Sequence, residues 1–342
     1  MVKSLYLIIF FLNLFGASIG QLSRLIQIIS RTCDVADDTT CAGNGVTFWL
    51  YTNLTRDTPT QLNLNTLDKA PWVDGALKFI VHGFSVDKDS AINAVLRPAL
   101  FSVGEYNIVS TDWSSLGRQG CYTQAVRNVR TVGKCVSDFF NAVVRTRQFP
   151  SVHLLGHSMG AHVAAWASQD IPDLPRLTKF DVANPMFNND HSRRGRAGFI
   201  DVYHSNCGLK GQRNPSGDVD VYFNNNVFQP GCKCDTGCSH LRAVEFYAES
   251  LSTPLVAFPC SGWDEYKEGG CTTPRTEDLV VLGENADIRV KGSFMAFTNS
   301  KSPFLLHADV YTEEASFNGF KNIVASECSI AYNFKTLLRD WL

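Results

Sequence analysis

Each absence from this sequence removes a class of protein. Charge is nearly balanced, with 31 Lys and Arg against 33 Asp and Glu and a formal net charge of −2. No basic field gathers nucleic acid, and no nucleic-acid partner is expected. There is no glycine-rich phosphate loop, dinucleotide fingerprint or haem attachment motif, and no cofactor is expected. Beyond Gly20 no segment is apolar enough to span a bilayer, which takes about 20 residues, so no transmembrane segment is expected. No internal repeat, low-complexity tract or linker interrupts the 342 residues. That length suits one large domain of roughly 250–300 residues with extensions.

The first segment reads as an address. Lys3 is followed by the apolar run Leu5–Leu14 and then by small residues at Gly16, Ala17, Ser18 and Gly20. The run is short for a bilayer span, and a signal peptide over residues 1–20 fits it. The eleven cysteines point the same way, to an oxidising compartment and a secreted, extracellular protein. Their odd number leaves at least one thiol free or paired outside the chain. Asn53-Leu54-Thr55 is a glycosylation acceptor at Asn53 where the segment is exposed.

Short apolar runs end where reactive residues begin. Leu77–Val81 reads as a buried strand running into His82-Gly83-Phe84. Further strands are read at Asn107–Trp113, Val152–Leu155, Leu177–Phe180 and Phe199–His204. Between them, Gln124–Arg145 carries apolar residues at helical spacing (Val129, Val132, Val136, Phe139, Phe140, Val143), and Ala161–Ser168 and His240–Leu251 also read as helices. Strands alternating with helices imply an α/β fold with a mostly parallel central sheet and helices on both faces.

Gly156-His157-Ser158-Met159-Gly160 sits after an apolar strand and before an alanine-rich helix. That context marks a nucleophile elbow, the strained strand-to-helix turn that lifts a serine hydroxyl above a sheet. Glycines on both sides let strand and helix approach without a Cβ clash. A serine hydroxyl needs a base, and the base needs a carboxylate to fix its tautomer. In this arrangement the chain order is Ser, acid, His. Asp181 ends the next strand and fits the acid. Two histidines compete for the base: His204 closes an apolar strand, and His240 precedes a helix. Periodicity leans to His240, and spacing alone leaves both open. An oxyanion needs two aligned N–H donors. Met159 follows the nucleophile, and Phe84 lies in a loop after an earlier strand.

These residues resemble the animal pancreatic-lipase family, which includes lipases and insect phospholipases A1. The resemblance runs from about Val46 to Phe304. It rests on Val81-His82-Gly83-Phe84, Asp112-Trp113-Ser114, Gly156–His162, Asp181-x-Ala183-x-Pro185, Asp201-Val202-Tyr203-His204, Gln229-Pro230-Gly231-Cys232 and Cys238-Ser239-His240-Leu241-Arg242. It implies the α/β-hydrolase fold and a triad of Ser158, Asp181 and His240, with oxyanion donors at Phe84 and Met159. Two departures are Val182, where the family usually has proline, and Met159, where leucine is commoner. Neither removes a reacting group.

Family lipases carry a long disulfide-bounded lid between the cysteines matching Cys232 and Cys238. Here Lys233, Cys234, Asp235, Thr236 and Gly237 are all that lie between them, and the loop Ser205–Val219 also looks shortened. That loop pattern is closest to the phospholipases A1. A short lid leaves an open groove that suits a lipid with a charged headgroup. The chain also stops before the family's C-terminal β-sandwich domain, so no colipase partner is expected. The domain reading is a signal peptide over 1–20, a catalytic domain over 21–304 and an extension over 305–342. That extension, with Trp341 and Leu342, is expected to pack on the same domain.

The expectation is therefore a secreted phospholipase A1 acting at a lipid interface on the sn-1 ester of glycerophospholipids. A triacylglycerol lipase or galactolipase with the same triad is the alternative. A non-catalytic lipid-binding or storage protein is the weaker one. Cys232 is paired with Cys238, and Cys260 with Cys271, as short loops; Cys33 or Cys41 is expected to reach Cys121. The run Cys232-x-Cys234-x-x-x-Cys238-x-His240 lacks zinc-site spacing, and no metal is expected. Arg193-Arg194-Gly195-Arg196 reads as a solvated loop rather than a phosphate site, and His157 as structural.

Overall fold

The computed structural model describes residues 33–36, 41, 43–187, 194–224, 226–271 and 273–312. The proposed signal segment, Arg193, Cys328, Trp341 and Leu342 lie outside the described residues.

Among the described residues eleven strands form one sheet: β1 (Thr47–Tyr51), β2 (Thr60–Gln61), β3 (Ala76–Val81), β4 (Tyr106–Asp112), β5 (Val152–His157), β6 (Arg176–Phe180), β7 (Phe199–His204), β8 (Val219–Phe223), β9 (Leu255–Pro259), β10 (Val280–Leu282) and β11 (Gly292–Ala296). Their spatial order is β10-β9-β11-β8-β7-β6-β5-β3-β4-β1-β2. The run from β4 through β3, β5, β6, β7 and β8 to β11 is parallel. Antiparallel strands close both edges. This is the α/β-hydrolase arrangement, and its parallel strands all end at one edge of the sheet. Ligands of such sheets bind beyond that carboxyl edge.

The helices that position the site are α1 (Ile92–Val103), α2 (Tyr122–Thr146), α3 (Met159–Ala167) and α4 (Thr236–Glu249); α5 (Trp263–Lys267) and α6 (Ala308–Thr312) are short. The strands sort their side chains with period two. Phe79 and Val81 face one core with Val132, Val136, Phe139 and Phe140 of α2 and with Val163 and Ala164 of α3. Ile80 faces the other, with Leu96 and Leu100 of α1 and Val244, Phe246 and Tyr247 of α4. Both faces are covered, and the strands accordingly carry apolar residues on both sides, interrupted by buried polar ones such as Lys78, Lys179 and Asp201.

α4 begins at Thr236, four residues before the helix read from sequence. Asp235 explains the difference: its side chain accepts the Cys238 N–H at 2.9 Å as an N-cap. The latter part of the segment between Cys232 and Cys238 is therefore the first turn of a helix rather than a free loop.

The disulfides are Cys33–Cys121, Cys41–Cys135, Cys232–Cys238 and Cys260–Cys271. Cys33, not Cys41, reaches Cys121. The first two bonds clamp the stretch before β1 onto α2. Cys234 is disulfide-bonded as well, and Cys207 is a free, buried thiol. The sulfurs at 232, 234 and 238 are thus spent in S–S bonds, which removes them as zinc ligands. Leu305 is buried with the second core. Tyr311 of α6 packs against Phe258 and Phe297, its hydroxyl donating to the Phe297 carbonyl at 3.0 Å.

Candidate active site

Ser158 stands between β5 and α3 at φ 57° and ψ −123°. A side chain in that region is strained and persists only where packing enforces it. The enforcement is visible on both sides. A Cβ on Gly156 would sit 2.5 Å from the Gly160 carbonyl oxygen, and one on Gly160 would sit 2.3 Å from that of His82. Glycine at both positions lets α3 rest against β5 and against the end of β3. The Ser158 N–H donates to the Phe180 carbonyl at 2.9 Å, and the Ala183 N–H returns to the Ser158 carbonyl at 3.2 Å. Ser158 itself is half-buried, within reach of solvent.

Met159 is the first residue of α3, so its N–H has no intrahelical acceptor. Gly83 approaches Ser158 so closely that a Cβ there would lie 3.0 Å from the serine Cβ. Phe84 follows directly, which brings its backbone beside the elbow. A fixed histidine holds this loop. The Trp113 backbone N–H donates to His82 Nε2 at 3.1 Å, so Nδ1 carries the ring proton and donates to the Gly83 carbonyl at 2.8 Å. Trp113 Nε1 donates to the His82 carbonyl at 2.9 Å, with the two rings stacked. Asp112-Trp113-Ser114 therefore braces the loop that holds Phe84. The Phe84 ring meets Tyr122 edge-on at 4.9 Å, and the Tyr122 hydroxyl donates to the Pro185 carbonyl at 3.0 Å. With exposed Met186, these residues make an apolar rim beside the serine.

Asp181 is fully buried just past β6. Its Oδ2 accepts from His240 Nδ1 at 2.5 Å, and its Oδ1 accepts the backbone N–H groups of Ser205 and Asn206 at 2.8 and 2.9 Å. Three donors fix the carboxylate and leave the other imidazole nitrogen of His240 uncommitted to it. His157, one residue before Ser158, donates from Nε2 to the His240 carbonyl at 3.0 Å. The nucleophile's chain neighbour thus touches the histidine's own backbone. Burial first, and the nearby His240 next, push the His157 imidazole down to about 3, so it stays neutral.

The competing His204 is turned elsewhere. Its Nε2 meets Asp220 Oδ1 at 2.8 Å, and its Nδ1 meets the Gln212 carbonyl at 3.1 Å. It is wholly buried and anchors the loop between β7 and β8. Of the two histidines left open by spacing, only His240 meets Asp181.

Other contributors were given no role by the sequence reading, although Gln229 opens one of the motifs that carry the resemblance. Gly211 lies against the Asp181 carboxylate, and Ser205 Oγ accepts the Ala243 N–H of α4 at 3.2 Å. Gln229 Nε2 donates to the Ser205 carbonyl at 2.8 Å, while its N–H donates to Ser239 Oγ at 3.1 Å. Gln229 therefore couples the acid's loop to the residue before His240. Nothing in a single sequence distinguishes Ser205 and Gly211 from ordinary loop residues. Arg194 pairs with Asp218 at 2.9 Å, as a solvated loop residue would. The Asn53 amide nitrogen donates to the Gly104 carbonyl at 3.1 Å.

The sequence profile of the Lipase family matches residues 28–304. Over 282 residues the chain is 29% identical to inactive pancreatic lipase-related protein 1 of Homo sapiens, spanning 71% of this chain and 60% of that protein. It is 30% identical over 277 residues to pancreatic lipase-related protein 2 of Bos taurus, spanning 70% and 59%. It is 31% identical over 229 residues to lipase member H of Oryctolagus cuniculus, spanning 61% and 51%. The chain spans between about half and three fifths of the length of these curated relatives.

Proposed function

Because the chain belongs to the Lipase family, we propose that it is a secreted lipid ester hydrolase, and more narrowly a phospholipase A1 that works through Ser158, Asp181 and His240. The observation that supports this most is the 2.5 Å contact of His240 Nδ1 with Asp181 Oδ2, made next to the strained Ser158 turn. In this mechanism Ser158 Oγ attacks the sn-1 carbonyl carbon while His240 Nε2 takes its proton. Asp181 stabilises the imidazolium. The Phe84 and Met159 N–H groups receive the oxyanion. His240 then gives the proton to the departing glycerol oxygen, leaving an acyl-enzyme. Water attacks that ester, His240 again moves the proton, and free fatty acid leaves.

The phospholipid preference rests on the short segment between Cys232 and Cys238, part of which is helix, and on the short loop between β7 and β8. With so little chain to close over the serine, the groove stays open to a bulky polar headgroup. The rim of Phe84, Tyr122 and Met186 offers an acyl chain apolar contact. Secretion is part of the proposal and agrees with the disulfides. Among the described residues no helix is long and apolar enough to cross a membrane. Residues 21–304 form the proposed catalytic domain, with 305–342 as an extension of it.

The test is positional analysis of fatty acid released from phosphatidylcholine vesicles and from triolein, by the wild type and by Ser158→Ala. Release from the sn-1 position that vanishes in the variant supports the reading. Release from triolein alone turns it into a neutral lipase, and equal rates for wild type and variant remove the serine mechanism.

A further inference from the structure

Lys210 stands beside the acid's loop with an amine that the proposed mechanism does not use. Its backbone is fixed at both ends: the N–H donates to Asn206 Oδ1 at 3.0 Å, and the carbonyl accepts the Asn184 N–H at 2.8 Å. Asn206 and Gly211 on either side both touch the Asp181 carboxylate, so Lys210 is built on the support of the acid itself. Its side chain reaches across to the start of α4. There the amine lies 3.9 Å from the position a Cβ on Gly237 would take, three residues before His240. Among the described residues this amine has no ion pair and no hydrogen bond. Asp235, the carboxylate beside it, is occupied capping α4 through the Cys238 N–H. Lys210 is half-exposed, and its charge adds a small downward push on the His157 ring, after the larger effects of burial, His240 and Asp181.

An unpaired ammonium on a rigid backbone, set between the two shortened loops, has the chemistry of an anion receptor. From this position we infer that Lys210 receives the phosphodiester of a glycerophospholipid while Ser158 holds the sn-1 ester, and so sets the preference for phospholipid over neutral ester. This rests on the phospholipase reading above. The glycerol backbone separates the phosphate from the reacting carbonyl, which is how one molecule engages both points. The contact is made equally before and during reaction, so it acts through binding and orientation rather than on the bond being broken.

The experiment compares kcat/KM on monomeric short-chain phosphatidylcholine with kcat/KM on p-nitrophenyl butyrate for wild type, Lys210→Met and Lys210→Arg. The expected result is a fall of at least tenfold in the phospholipid-to-neutral-ester ratio for K210M, expressed mainly in KM, with most of the ratio recovered in K210R. A ratio unmoved in K210M, whether both activities persist or both fall together, overturns the inference. A wild type that cleaves the neutral ester and no phospholipid instead overturns the phospholipase reading, and the inference with it.

Discussion

Gly211 lies flat against the carboxylate of Asp181: a Cβ built on it would stand 2.3 Å from Oδ1 and 2.5 Å from Cγ. The loop between β7 and β8 therefore has a positive role. It packs its backbone onto the buried acid and delivers the Ser205 and Asn206 N–H groups to the same oxygen. A side chain at position 211 must push the carboxylate or the loop away. Misplacing a proposed catalytic group by about 1 Å costs on the order of 100-fold in rate. Gly211→Ala is expected to lower kcat/KM by ~100-fold on any ester, with a smaller loss in stability. Steady-state kinetics beside a thermal melt checks this, and a variant with wild-type kcat/KM would show that the contact has slack.

The two histidines are expected to separate cleanly. His240→Asn removes the proposed base and should cut kcat by ~10,000-fold or more with the fold retained. His204→Asn instead breaks the buried hydrogen bond with Asp220 and should cost about 1–3 kcal/mol of stability. The folded fraction of that variant keeps its turnover. Active-site titration with an organophosphonate, combined with urea unfolding, distinguishes the two losses.

The clamp before β1 should be worth a great deal. Cys41 and Cys135 are 94 residues apart, but with Cys33–Cys121 intact the loop their bond closes runs through that other bond and is roughly 22 residues, worth about 3 kcal/mol in the chain-entropy account. Cys41→Ser with Cys135→Ser is expected to lower the unfolding midpoint strongly while leaving kcat of the folded enzyme near wild type. The site lies at the elbow and the loops beyond β6, away from this bond. Chemical denaturation followed by fluorescence measures it.

His157 ties the site to pH. Burial holds its folded-state value at about 3, while an unfolded chain titrates it near 6.5. Between those values the unfolded state binds the extra proton. Its contribution to stability is therefore complete above about pH 6.5 and is lost progressively as pH falls toward 3. The slope is about 1.4 kcal/mol per pH unit for one proton. Replacing it in His157→Gln should flatten the stability curve over that window by about one proton. Unfolding free energies for wild type and variant at pH 4, 5, 6 and 7 measure the difference, and parallel curves would show that the ring is not the titrating group.

Much of this protein was legible along the chain because its signals are local. The strand ending in His82-Gly83-Phe84 and the strand–Gly-x-Ser-x-Gly–helix unit each follow from a few consecutive residues, since hydrophobic periodicity and glycine placement act within one turn of chain. Where α4 begins was also a local matter, decided by the Asp235 cap, but its signal was overlaid by the cysteines around it. Local periodicity leaned to His240 and the resemblance implied it, but the contact itself, with His204 held instead by Asp220 and Gln212, belongs to the tertiary structure. It alone showed Gly211, Gln229 and Lys210 converging on that carboxylate and its neighbours. Those contacts join loops brought together by the order of the parallel strands. Such proximity is set by the packing of the whole sheet, which no short stretch of sequence encodes.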